Sequence, residues 1–421
     1  MKLPVRLLSV AATAVCLVAG MLAGSPPAAA ATLTTQAIFN DPGGSASAQS
    51  AIVDKVVELI DAAPAGSRVR MSMFYADDVR IPNALIAAHQ RGVNVQVIFS
   101  YKETGETLWS SLTGALGTDK SKASYAITCP QNRGCVGNRQ LSSVYSINHN
   151  KFFLFSSTEG ASDVVVQSSA NLHNGRDGTK GWNNALILTG KPDIYDAYSG
   201  YFDDLARMTT NNNYYDTGRP PVTSGNAKIH FFPRQESSGA NVYRDPTEDT
   251  IETVLDHISC FGNTKVGTAD NHRTVIRVNT HIFSRPYLAT KLAELDAAGC
   301  YVEVVENFAA GDTGLAHESL SDLLKKTSSA YNGVVVGYFC STDSVWTHSK
   351  YLAVDGKYYG VPDRRLVWTG SANLSTNSLR QSDETILQLE DPTIAEAYRA
   401  NFHDVLTAAT HHPANGGSIT C

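Results

Sequence analysis

Apolar residues recur along this chain with two periods that alternate in a regular order. Residues 52–60 (IVDKVVELI) carry them at helical spacing, and residues 69–75 (VRMSMFY) alternate as a strand. Residues 81–92 (IPNALIAAHQRG) predict a helix closed by Gly92, followed by a second strand over 93–100 (VNVQVIFS). The order returns later in the chain, with a helix over 250–258, a strand over 274–283, a helix over 286–299 and a strand over 301–307. A helix that ends in glycine just ahead of a hydrophobic strand predicts a β-α-β unit in each place.

The likeness between the two parts continues downstream. NHNKFFLF (148–155) aligns with THSKYLAV (347–354), and QSSANL (167–172) with TGSANL (369–374). NNALIL (183–188) aligns with DETILQ (383–388), and YDAYSGYFDDL (195–205) with AEAYRANFHDV (395–405). Residues 209–227, rich in Asn, Thr, Pro and Gly, have the composition of a connecting loop. We therefore expect a tandem duplication, with a first repeat over 32–208, a linker over 209–227 and a second repeat over 228–421. Each repeat reads as an α/β unit, a mixed sheet flanked by helices, and the two are expected to be related by a pseudo-twofold axis.

Residues 1–31 stand outside this frame. Lys2 and Arg6 precede a mostly apolar stretch over 7–22, and small residues fill 28–31, which is the layout of a cleaved secretory signal peptide. Its loss takes the net charge from −6 to −8, and no later apolar run approaches the ~18 residues that span a bilayer. A secreted protein is expected. Cys129, Cys135, Cys260, Cys300, Cys340 and Cys421 remain after cleavage, an even number that favours disulfides in an exported chain. Cys129 and Cys135 flank a turn-like PQNRG segment and are expected to pair; the other four allow three pairings. With 34 basic against 40 acidic residues, nothing in the overall charge draws the chain to nucleic acid, and no stable nucleic-acid partner is expected.

Both repeats carry His-x-Lys ahead of Ser-Ala-Asn: His149 and Lys151 before Ser169 and Asn171, and His348 and Lys350 before Ser371 and Asn373. Residues two apart on a strand share a face, so each Lys projects with its His. A Lys on a core-facing side is costly unless an anion meets it. Two such sets about one axis bring together imidazoles for nucleophilic and proton-transfer work and ammonium and amide donors for a tetrahedral anion.

These motifs resemble those of the phospholipase D superfamily, whose signature is His-x-Lys-x4-Asp followed by Gly-Ser-x-Asn, twice per active site. The second copy here is complete, with Asp355 and Gly370 in place, whereas Ser156 and Ser168 replace Asp and Gly in the first. The resemblance implies two α-β-α sandwich repeats and a phosphohistidine mechanism without cofactor or metal. One imidazole attacks phosphorus and the other protonates the leaving alcohol. Lys151, Lys350, Asn171 and Asn373 hold the phosphoryl oxygens, with Ser169 and Ser371 assisting. Asp355 is a supporting residue away from the phosphate, and Glu384 or Asp383 is expected behind His348, with Asn183 and Asn184 at the aligned positions of the first repeat. The nucleophile stays open between His149 and His348.

Two motifs in one chain imply a monomer. The exported members of the superfamily suggest a phospholipase D acting on phosphatidylcholine-like lipids at a membrane or micelle surface, with transfer to other alcohols as an additional outcome. A secreted metal-independent nuclease and a non-catalytic binding or toxin-like protein are the alternatives. Phe152, Phe153, Trp346 and Tyr351 flank the motifs, and are expected mostly in the core of their strands.

Overall fold

Strands β2 (Arg68–Met73) and β3 (Asn94–Phe99) run parallel because the helix Arg80–Gln90 carries the chain back between them, as the alternating periods predict. The computed structural model describes residue 1 and residues 32–101, 106–141, 143–236, 241–326, 331 and 333–421; apart from Met1, the expected signal peptide lies outside the described residues. Around this unit the first sheet takes the order β1 (Gln36–Asn40), β7 (Asn183–Leu188), β6 (Ala161–Ser168), β5 (Lys151–Thr158), β2, β3 and β4 (Tyr125–Thr128). The β2–β3 and β3–β4 pairs are parallel and the others antiparallel.

The second sheet repeats that order with β9 (Ala227–Phe232), β16 (Glu384–Glu390), β15 (Val361–Gly370), β14 (Tyr351–Tyr358), β11 (Val275–Asn279), β12 (Tyr301–Phe308) and β13 (Val335–Cys340). It adds β8 (Val222–Ser224) at the outer edge and β10 (Ile258–Ser259) beside β14. Part of the expected connecting loop is therefore structured. Tyr214–Gly218 forms a π-helical turn, and β8 pairs with β9 across a two-residue Gly225-Asn226 turn in which Gly225 takes φ +58°.

The strands of both sheets are buried on two faces, so their side chains divide between separate cores. On β5, Phe152 and Leu154 join a central core, while Phe153 and Phe155 face the outer core of the first repeat. The central core packs the inner faces of both sheets around two helices, Pro192–Arg207 and Pro392–Ala408, through Tyr198, Phe202, Tyr398 and Phe402. Outer helices cover the remaining faces. This is the expected architecture of two mixed sheets flanked by helices. Three disulfides tie it: Cys129–Cys135, Cys260–Cys300 and Cys340–Cys421.

The two departures from the signature are absorbed locally. Ser156 Oγ accepts from Arg68 N at 2.8 Å, and Ser168 Oγ accepts from Ala170 N at 2.9 Å and donates to Asn184 O at 3.2 Å. At the corresponding position on β15 there is no such room, because a Cβ on Gly370 would stand 2.0 Å from Thr385 O. Gly370→Ala is therefore expected to cost about 1–3 kcal/mol through separation of β15 from β16, read as a lowered denaturation midpoint. An unchanged midpoint would show that the strands yield there freely.

Candidate active site

Both His-x-Lys motifs lie just ahead of a strand, His149 before β5 and His348 before β14, and both Asn residues just after one. The segments from the two repeats then cross. His149 N donates to Asp383 O at 3.0 Å and Asp383 N to Ile147 O at 2.9 Å; His348 N donates to Trp182 O at 2.7 Å and Trp182 N to Trp346 O at 3.0 Å. These backbone bonds seat each His on the strand entry of the opposite repeat.

The crossing exchanges the partners of the imidazoles. Glu384 Oε1 lies 2.8 Å from Nδ1 of His149, and Asn183 Oδ1 lies 3.0 Å from Nδ1 of His348. The expectation that Glu384 backs the His of its own repeat is thus corrected: it backs the other one. The alignment itself shifts by one residue, because Ser169 N bonds Asn184 O just as Ser371 N bonds Thr385 O, which makes Asn183 the counterpart of Glu384. The first repeat has one more residue between its Asn and this strand, which an ungapped comparison hides. Asn183 Nδ2 donates to Gly178 O at 2.9 Å, so its oxygen is the atom turned toward His348. Both rings therefore carry a proton on Nδ1 and present Nε2 for chemistry.

Lys151 and Lys350 are fully buried, and each ammonium donates to the carbonyl of its own His at 2.8 Å, leaving donors for an anion. Burial pushes Lys151 down to about 7, against the pull of Glu384 and Asp177, and burial together with Lys151 pushes Lys350 well below the ordinary lysine range. Burial also lowers His149 to about 4, with Glu384 resisting, and lowers His348 well below the ordinary histidine range, where Lys350 and His281 add repulsion. Burial works to raise Glu384, but His149 and Lys151 hold it below the usual range.

His149, Asn171, His348, Asn373 and Glu384 line one cleft of about 710 Å³. Ser169 and Ser371 support it from behind, not from its wall. Ser169 Oγ donates to Asn183 Oδ1 at 2.9 Å and accepts from Asn184 N at 3.0 Å, and Ser371 Oγ accepts from Thr385 N at 3.0 Å. Asp355 lies outside the cleft and pairs with Arg277 at 3.0 Å. Phe152, Phe153 and Tyr351 are core residues, whereas Trp346 reaches the cleft wall.

Sequence reasoning missed several members of the wall. The His281 ring lies tilted against that of His348 at 4.7 Å, and burial together with Lys350 pushes it down to about 3. Asp177 Oδ2 accepts from Asn171 Nδ2 at 2.7 Å. The signal for His281 was its place two residues past the end of β11, at the register of Phe74, which lies just past β2 and packs at 5.1 Å from His149. The exchange of partners has a direct test. Asn183→Asp is expected to raise the titration midpoint of His348 by about one pH unit or more, leaving His149 in place, as read from imidazole resonances. A shift of His149 instead would contradict the crossed pairing.

Comparison with known proteins places this geometry. Residues 56–206 and 268–406 match the family model described as "Cardiolipin synthase, PLD-like domain". Among solved structures, phosphatidylserine synthase from Haemophilus influenzae matches with a TM-score of 0.57 at 14% identity, over 86% of this chain and 86% of that one. Polyphosphate kinase from Porphyromonas gingivalis matches with a TM-score of 0.52 at 14% identity, over 89% of this chain; the chain spans 50% of that protein. At this identity the likeness is one of fold. Among curated proteins, no sequence matches this chain. The family match covers both repeats and every signature residue above, so the chain belongs to the PLD-like domain family of cardiolipin synthase, whose superfamily acts on phosphodiester bonds.

Proposed function

We propose that this chain is an exported phosphodiesterase of the phospholipase D type, hydrolysing phosphatidylcholine-like lipids to phosphatidate and the free alcohol. The observation that carries the reading is the pair of imidazoles on one cleft, each oriented through Nδ1 by a residue of the opposite repeat and each followed two residues on by a buried Lys whose ammonium donates to that His carbonyl. The rim favours a lipid. Val144, Tyr145 and Ile282 stand at its edge 52%, 43% and 40% exposed, which is unusual for such side chains and suits an apolar substrate surface. Export is supported by the pairing of all six cysteines of the described residues. No helix among the described residues is long and apolar enough to cross a membrane.

His149 takes the role of nucleophile. A phosphorylated imidazole that keeps its Nδ1 proton is cationic, and Glu384 offsets that charge where Asn183 offers only a dipole. Nε2 of His149 forms a bond to phosphorus as the P–O bond to the head group breaks, and His348, protonated once the phosphate anion is beside it, gives its proton to the leaving oxygen. His348 then takes a proton from water, whose oxygen displaces His149 from phosphorus. An alcohol in place of water gives transfer. Lys151, Lys350, Asn171 and Asn373 stabilise the phosphoryl oxygens throughout.

With EDTA present, the protein is expected to release choline from phosphatidylcholine vesicles and to leave plasmid DNA intact, and His149→Ala or His348→Ala to abolish turnover. Cleavage of DNA alone would select the nuclease, and no activity on any phosphodiester the non-catalytic reading. Because Lys151 sits at about 7 in the free protein, kcat/KM is expected to fall as pH rises above that value and the ammonium loses its proton. A profile flat to pH 9 would remove Lys151 from anion binding.

A further inference from the structure

Behind the cleft, two buried hydrogen-bonded joints cross the boundary between the repeats at matching positions. Gln167 near the end of β6 and Thr369 near the end of β15 hold the same register, one residue ahead of Ser168 and Gly370. Asn184 on β7 and Thr385 on β16 are likewise counterparts, since their carbonyls accept Ser169 N and Ser371 N. In the first joint Gln167 Oε1 accepts from Thr385 Oγ1 at 2.7 Å, and in the second Thr369 Oγ1 accepts from Asn184 Nδ2 at 2.6 Å. Each acceptor also takes a phenol from the central helix of its own repeat, Tyr198 at 2.7 Å and Tyr398 at 3.2 Å. All six side chains are at most 1% exposed, where a hydrogen bond is strong and an unpaired partner costly.

The frame is symmetric and the residues are not. The first repeat supplies an amide to both joints, and the second supplies threonine to both. Each joint therefore sets one amide against one short hydroxyl side chain. Two copies of the first repeat would meet amide to amide and overfill that space. Two copies of the second would meet Thr to Thr and leave it open. The fit at each joint thus depends on both repeats at once.

Both joints end on the lysines. Gln167 Nε2 donates to Lys151 O at 3.4 Å, and Thr369 Oγ1 donates to Lys350 O at 3.4 Å. Asn184 also reaches across directly, its Oδ1 accepting Lys350 N at 3.1 Å. In each joint a donor of one repeat is thus connected, through the acceptor, to the main chain of the other repeat's lysine. The lysines need such a hold. Their ammonium groups are buried and alike in charge, so repulsion works to part them until an anion arrives. The bond from each ammonium to the carbonyl of its own His stays within one repeat and sets no distance between the two.

We propose that Gln167, Asn184, Thr369 and Thr385 are positioning residues for the reaction: their two amide–hydroxyl joints fix the main chain of Lys151 and Lys350 across the repeat boundary, and so set the spacing at which both ammonium groups meet one phosphoryl group. The inference rests on the phosphodiesterase reading above and does not depend on which alcohols the phosphate carries.

The test follows kcat and KM of the mature protein on phosphatidylcholine in neutral detergent micelles and on bis(p-nitrophenyl) phosphate. Thr369→Val and Thr385→Val keep the shape of the side chain and remove its hydroxyl. Each is expected to lower kcat about tenfold or more on any substrate turned over, with KM within about threefold. Thr369→Ser, which keeps the hydroxyl and drops the methyl, is expected to recover most of that loss; a packing role would give the opposite order. The exchange of Asn184→Thr with Thr369→Asn rebuilds one amide–hydroxyl pair with the repeats reversed. Its kcat is expected to exceed the product of the two single effects by about tenfold. Unchanged kcat in both valine variants, a serine variant slower than the valine one, or an exchange no better than that product would each overturn the proposal. Should Thr369→Val fail to fold, Thr385→Val and the exchange decide by the same criteria. Turnover of the nitrophenyl ester alone by the unaltered protein would reject the lipid reading and leave this comparison standing on that ester. Turnover of neither substrate would overturn both.

Discussion

The structure depends on an exchange at the crossing point of its two repeats. Each His is fixed through its backbone to the strand entry of the other repeat and through Nδ1 to a side chain there. Neither repeat holds a complete imidazole pair. The cost of this arrangement is the burial of two ammonium groups and a carboxylate among few opposite charges, which desolvation makes expensive. That cost is set against the large central core, where the helices Pro192–Arg207 and Pro392–Ala408 join the inner faces of both sheets. The helices, by packing the sheets together, hold the charged segments in a position that they would not take alone.

Duplication supplied one backbone twice, and the side chains have since diverged in ways that keep the frame and split the chemistry. The β2 and β11 strands each carry a buried Arg at the same register. Arg277 pairs with Asp355 and Glu303, whereas Arg70, whose repeat has Ser156 in place of that Asp, pairs instead with Asp203 on the adjacent helix at 2.8 Å. One charge requirement is thus met by two routes. The same freedom applied at the cleft gives Asn183 against Glu384 and Phe74 against His281. A symmetric site would treat both faces of a phosphodiester alike; this one does not, and a reaction that distinguishes a nucleophile from a proton donor needs that difference.

Much of this was legible before the coordinates. The β-α-β order, both mixed sheets and the pairing of Cys129 with Cys135 follow from periodicity, glycine stops and short spacing. The two-face burial of Phe152 and Phe153 follows from a continuous apolar run. The partner of His149 was not legible, because it comes from 235 residues away across a crossing that no local pattern records. Nor was the one-residue offset that aligns Asn183 with Glu384, since the extra residue lies inside a loop of unlike sequence. Asp177 escaped for a related reason. It lies in a glycine-rich turn that has no counterpart in the second repeat, so comparison of the halves, which found the other site residues, passes over it.

The two crossing tethers are themselves unequal, and the inequality extends the asymmetry of the site into the frame behind it. At one crossing the bridging residue is Trp182, at the other Asp383, and both make the same backbone bonds to a His-bearing segment. Asp383 adds a fully buried carboxylate, whose oxygens accept the amide N–H groups of Cys135, Val136 and Gly137 at 2.6–3.3 Å. Burial raises this acid to about 7 even so, which means that the three amides offset only part of its desolvation. What the carboxylate gains for that cost is reach. It joins the loop closed by the Cys129–Cys135 disulfide to the residue immediately before Glu384, so the partner of His149 is clamped from both repeats. Under the proposed assignment of His149 as nucleophile, the imidazole that holds phosphorus is the one given this second clamp, and His348 is left with the simpler tether.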